Sequence, residues 1–266
     1  MVEALPVFRR SLGDSWRSLV GWTAGVGGAI ALYLPLYSSI NGNGQMDQLI
    51  ANMPPELVNT MGLQQISTGP GYVQSTFFGL IGVLLLTIAG TSWGSSAIGG
   101  AEESGRLELD LAHGVGRVQY SLESALSIVV RMLWLGGFAA ALVIVLNVPS
   151  ALELDPLNVV AASIALIGLA LVSATVALAV GAITGRRVLA TVAGAGVAVV
   201  GYALNAVALQ SSDVQAVSSA SPYAWAFQND PLTGGMDGPG VALLAGVSLV
   251  AVAVATVALR RRDITG

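Results

Sequence analysis

"VVAASIALIGLALVSATVALAVGAITGRRVLATVAGAGVAVVGYALNAVAL", Val159 to Leu209, decides the fold. It holds two apolar runs, Val159 to Ile183 and Val188 to Leu209. Each reaches the roughly 20 residues a helix needs to cross a hydrocarbon core about 30 Å thick. Only Thr184-Gly185-Arg186-Arg187 parts them. So polar a tetrapeptide marks a tight turn at a membrane surface, and the pair reads as a helical hairpin.

Outward from the hairpin, four more runs have the same character: Leu19 to Ile40, Thr76 to Ile98, Ala125 to Leu146 and Gly240 to Leu259. The composition agrees, with 54% hydrophobic and 10% charged residues, where a soluble domain carries about a quarter charged. The expected fold class is therefore all-α: a polytopic membrane protein with six transmembrane helices in a single transmembrane domain over residues 1–266.

What is missing excludes chemistry. Without cysteine there are no disulfides, thiolate metal sites or cysteine nucleophiles. All eleven basic residues are arginine, and a P-loop needs a lysine on the nucleotide phosphates. Any ATP this protein uses is bound by another chain. His113 is the only histidine. It lacks the partners for a metal site or a Ser-His hydrolase.

The arginines fall on alternate sides of the spans. Arg9, Arg10 and Arg17 precede the first; Arg106 and Arg117 lie between the second and third; Arg186 and Arg187 between the fourth and fifth; Arg260 to Arg262 follow the sixth. The remaining loops carry only acids: Asp47 and Glu56, Glu153 and Asp155, then Asp213, Asp230 and Asp237. By the positive-inside rule both termini are expected to be cytoplasmic, which requires an even number of spans. A twin-arginine export signal at "FRRSL" is the rival reading, but Arg17 interrupts the approach to the apolar run and no small-residue cleavage site follows.

Arg131 alone lies inside a span, and its length lets it snorkel to the headgroups. No Asp, Glu or His falls within the six runs, with Glu123 at an edge. Ion-coupled transporters usually carry such a group at mid-membrane, so the expected solute is apolar or amphipathic and its energy comes from elsewhere. Small residues recur at four-residue spacing as Gly21, Gly25 and Ala29, as Ser173, Ala177, Gly181 and Gly185, and as Ala190, Gly194 and Ala198. Such rows serve packing within one bundle or between two copies.

Two outer loops are long enough for structure. Gln45 to Leu63 spaces its apolar residues like short surface helices, and Ser221 to Gly238 sets Tyr223, Trp225 and Phe227 for an interfacial belt or a re-entrant segment. On the other side, Leu5 to Trp22 places Phe8, Leu12, Trp16 and Leu19 on one helical face and Arg9, Arg10, Asp14 and Arg17 largely on another. Residues 5–18 are expected to form an interfacial amphipathic helix. "GAEESGRLELDLAHGVGRV", Gly100 to Val118, alternates charge with Leu107, Leu109 and Leu111 before Gly114 and Gly116 break it. With no core of its own to join, its leucine face is expected to meet a protein partner or the lipid surface.

An amphipathic elbow, six spans, "EESGRLELDLAHGVGR" between spans two and three and a terminal "RRRDI" together resemble the type 2 permeases of ATP-binding-cassette exporters. That family's inner segment reads as two or more Glu, a Gly, Leu-Glu, then a short run to Pro and Arg. Glu102, Glu103, Gly105, Leu107, Glu108 and Arg117 match it, while Asp110 stands where the family prefers Leu and Gly114 where it often has Pro. The resemblance covers the whole chain, and "SPYAWAFQNDPLTGG" is similar to the last outer loop of members described as exporters of polyketide antibiotics. It implies that Glu102, Glu103, Gly105, Leu107, Glu108, Leu109 and Arg117 form a coupling helix docked on a separate ATPase, which holds the ATP and Mg. It implies an elbow helix carrying Phe8, Arg9, Arg10, Trp16 and Arg17. It also implies a second permease copy, identical or different, in the plasma membrane of a prokaryote. Read from the residues alone, three classes stay open: the membrane subunit of an ATP-driven exporter, a secondary transporter or channel, and a non-transport membrane protein.

Overall fold

The computed structural model describes residues 5–41, 52–54, 67–210 and 218–263. The expected surface helices of Gln45 to Leu63 fall almost wholly outside the described residues, as do Asp47, Glu56 and Asp213. The described chain is helical, without strands: α1 Pro6–Tyr33, α2 Leu36–Asn41, α3 Gly69–Glu103, α4 Arg106–Ala112, α5 Arg117–Asn147, α6 Pro156–Thr184, α7 Arg187–Ala208, α8 Pro222–Phe227, α9 Pro231–Gly234 and α10 Gly238–Arg261. Six helices are long and apolar enough to cross a membrane: α1 with α2, α3, α5, α6, α7 and α10.

The central helix is α6. Its most apolar stretch is 72% buried, against 17% for α1 and for α7. Small residues make that position possible, because they let neighbouring backbones approach closely. A Cβ added at Gly94 of α3 would stand 2.1 Å from the Ala174 carbonyl oxygen, and one at Gly194 of α7 would stand 2.7 Å from that of Ser173. The Ser173 and Ala190 rows thus pack α6 against α7 within one chain. Gly21 and Gly25 of α1 differ, with no atom within 4 Å of an added Cβ.

Helix ends follow from local chemistry. Asp155 caps α6 by accepting from the Leu157 amide at 2.8 Å, and Asp237 caps α10 by accepting from that of Gly240 at 3.2 Å. These acids of the arginine-free loops satisfy amides that a helix start leaves without partners. At the other end Gly185 closes α6 with φ 67°, in the left-handed region that favours glycine. Within α3, Gln74–Ile81 and Ser96–Gly100 are π-helical. Each widened stretch offers a carbonyl to a tyrosine: Gly79 accepts from the Tyr223 hydroxyl at 2.8 Å, and Ala97 from that of Tyr120 at 3.1 Å.

The aromatic loop folds back onto the bundle as α8 and α9. Phe227 and Leu232 are buried, and the Ser221 hydroxyl donates to the Gly201 carbonyl at 2.6 Å. Burial pushes the Tyr223 phenol up, so it remains a donor.

Residues 5–18 are the first half of an unbroken α1 and not a separate helix. Nothing between Pro6 and Tyr33 breaks it, because Gly13 and Gly21 are tolerated inside a long helix packed along α5. Glu123, just before the apolar run, lies in the second turn of α5 and is buried. Arg131 is only 4% exposed, and its side chain reaches back to Ser11 beneath the first turns of α1.

Candidate functional site

The polar stretch 100–118 leaves the bundle and returns through two left-handed glycines, Gly105 at φ 70° and Gly114 at φ 89°. Any side chain at either position is strained. Between them α4 presents two faces. Leu107 is fully buried and Leu111 packs against the core, while Arg106, Leu109, Ala112 and His113 are exposed, Leu109 by 62%. The expectation that this segment has no core of its own is corrected: Leu107 anchors it in this chain's interior and is closed to any partner. Leu109 is the apolar residue of α4 left outside.

Asp110, one turn beyond Leu107, is buried as well. Its carboxylate receives both terminal nitrogens of Arg10 at 2.5 and 2.9 Å. This bidentate pair carries geometric specificity as well as charge. Arg10 also approaches Asp14 at 3.8 Å, and Arg106 approaches Asp14 from α4 at 3.9 Å.

The two glutamates before Gly105 turn inward. Glu102 pairs with Arg262 just beyond α10, and Arg117 at the start of α5 donates to the Arg262 carbonyl at 2.7 Å. Glu103 accepts from the Arg187 amide at 2.8 Å, capping the start of α7. Negative charge at a helix start is favoured by the amides and the dipole there. Glu108 forms no ion pair among the described residues. Thus α4 and its approaches are tied to α1, α7 and α10 by side chains and to α3 and α5 by the chain itself.

In the first half of α1, Arg9 is exposed, Trp16 is 57% exposed with the Arg17 guanidinium 5.6 Å over its ring, and Phe8 is partly buried. The Phe8 amide donates to Glu123 at 2.9 Å. Since α1 has no side-chain cap of its own, Glu123 supplies one from α5. Gln119 holds the other Glu123 oxygen at 2.7 Å.

Sequence reasoning set Arg131 aside. Its Nη2 donates to the Ser11 carbonyl at 3.1 Å, to the Ser11 hydroxyl and to the Ser127 hydroxyl at 3.3 Å, and its guanidinium lies 5.2 Å over the Trp93 ring. A lone cation in an otherwise uncharged span was the signal that pointed to it.

What the charged end offers is a rooted, two-faced helix. In comparisons with known proteins, no family model matches this chain and no curated protein matches it.

Proposed function

We propose that the chain is the membrane-spanning subunit of an ATP-driven exporter. In this reading the outer face of α4, carrying Arg106, Glu108 and Leu109, docks on a separate ATPase subunit that holds ATP and Mg. One observation carries it: α4 is rooted by Leu107 and by the Asp110–Arg10 pair, and linked through Glu102 and Glu103 to α10 and α7. A helix so tied passes a push on its outer face to several spans at once, because packed elements shift as units.

The working unit holds two copies of the permease, with both termini on the cytoplasmic side of a prokaryotic plasma membrane. The solute is hydrophobic or amphipathic. No carboxylate lies deeper in the spans than Glu123, which is already occupied by the Phe8 amide and Gln119. Vesicles carrying the chain with its ATPase should export a lipophilic substrate on addition of ATP. Uptake driven by an ion gradient without the ATPase would overturn the reading in favour of a secondary transporter.

A further inference from the structure

The two halves of α1 are held by different forces. Its buried residues, Val26 and Ile30, both lie past the midpoint. Before Leu19, Val7 alone packs against the apolar core. The remaining ties of that first half are polar and reach α3, α4 and α5. Among them are the Phe8 amide to Glu123 at 2.9 Å, Arg10 to Asp110, the Ser11 hydroxyl to that of Ser127 at 3.2 Å, and the Trp93 indole to Ser18 at 3.2 Å.

What these ties cover is polar too. Glu123, Ser127 and Arg131 are all buried on α5. The Arg131 Nε has no partner, and the four ion pairs among the described residues all involve other side chains. A cation so buried and unpaired is costly. Lifting the cover returns it to water and removes that cost.

A bending point separates the halves. Gly21 and Gly25 precede Val26, and a Cβ added at either meets nothing within 4 Å. Glycine inside a helix leaves the backbone easier to bend. At the same level α1 and α5 already stand apart, around a space of about 370 Å³ bordered by Leu19, Thr23, Gly28 and Trp134, among others.

We propose that the first half of α1 is a hinged flap over Arg131. It swings about Gly21 to Gly25 while Val26 and Ile30 stay seated. In the lifted form Arg131, Ser127 and Glu123 meet water and headgroups at the membrane surface where α1 begins. The ties that break, a partly exposed ion pair and hydroxyl hydrogen bonds, are kinds that water replaces. The flap does not depend on the exporter reading.

Because the chain has no cysteine, a single one reports the flap. Ser127 is 1% exposed beneath Ser11, and Ser173 of α6 is 0% exposed. Each is replaced in turn, as Ser127→Cys and Ser173→Cys, and treated in nanodiscs with a charged, water-soluble maleimide. Ser127→Cys should react about tenfold faster than Ser173→Cys, equivalent to about 1.4 kcal/mol. Adding Arg10→Gln, which cuts one tie, should speed Ser127→Cys about tenfold again. Adding Gly21→Ala with Gly25→Ala, which stiffens the hinge, should slow it about fivefold. Neither change should move Ser173→Cys. Equal rates at the two positions would overturn the proposal, as would Arg10→Gln speeding both alike, which would mean loosening of the whole bundle. Should Ser127→Cys fail to fold, nitroxides on Gly13→Cys of α1 and Ala112→Cys of α4, both exposed positions, decide the matter. A second, longer distance that grows with Arg10→Gln supports the flap, and one unchanged distance overturns it.

Discussion

The two ends of the bundle are fastened differently. At the arginine-bearing end the ties are ion pairs, Arg10 with Asp110 and Arg262 with Glu102, and the Glu103 carboxylate on the α7 start. At the opposite end no ion pair is formed among the described residues; beside the Asp155 and Asp237 helix caps, the ties are neutral hydrogen bonds onto backbone carbonyls: Tyr223 to Gly79, Ser221 to Gly201, Asn158 to Leu232 and Asn147 to Leu154. Charge pairs near water are screened and can be re-made in a new geometry, whereas a buried carbonyl stripped of its donor finds no substitute. The contrast makes the charged end the salt-sensitive one.

The largest expected effect breaks the root of the charged end. Leu107→Asp puts a carboxylate where the side chain is fully buried and should cost more than the about 2 to 5 kcal/mol of a leucine truncation, seen as a large fall in thermal midpoint. Next, Asp110→Ala removes the partner of a half-exposed Arg10 and should cost about 1.5 kcal/mol, an effect that shrinks in high salt. Tyr223→Phe, at the opposite end, should cost about 1 kcal/mol and show no salt dependence. Denaturation in low and high salt checks both, and equal salt responses would erase the distinction between the ends. The smallest effect belongs to Leu109→Ala on the outer face of α4, expected within about 0.5 kcal/mol of the wild type because its side chain is largely in solvent.

The spans were legible in the sequence because length and hydropathy act locally: each of the six apolar runs falls on one of the long apolar helices, the first crossing the turn at Leu34 and Pro35, with the hairpin turn at Thr184 to Arg187 in place. The inner ties were not. Arg10 and Asp110 are 100 residues apart, and Arg262 and Glu102 are 160 apart. No helical period reports such partners. The leucine spacing of α4 marked an amphipathic helix correctly but left open which leucine faces in, since that depends on where the bundle stands. Small-residue spacing likewise failed to separate the packed row of α7 from the open row of α1. The cover over Arg131 was not legible because the first turns of α1 that supply it are 120 residues away.

The most direct test of the proposed coupling face compares Leu109→Asp and Glu108→Arg with the wild type in vesicles reconstituted with the ATPase. It reads thermal midpoint, ATPase retention and ATP-driven export together. Burying a leucine at a docking surface is worth roughly 1.5 to 3 kcal/mol, so both variants should keep the wild-type midpoint yet lose tenfold or more in ATPase binding or export. Wild-type retention and export rates in both would contradict the assignment of the outer face of α4 as the place where the ATPase pushes.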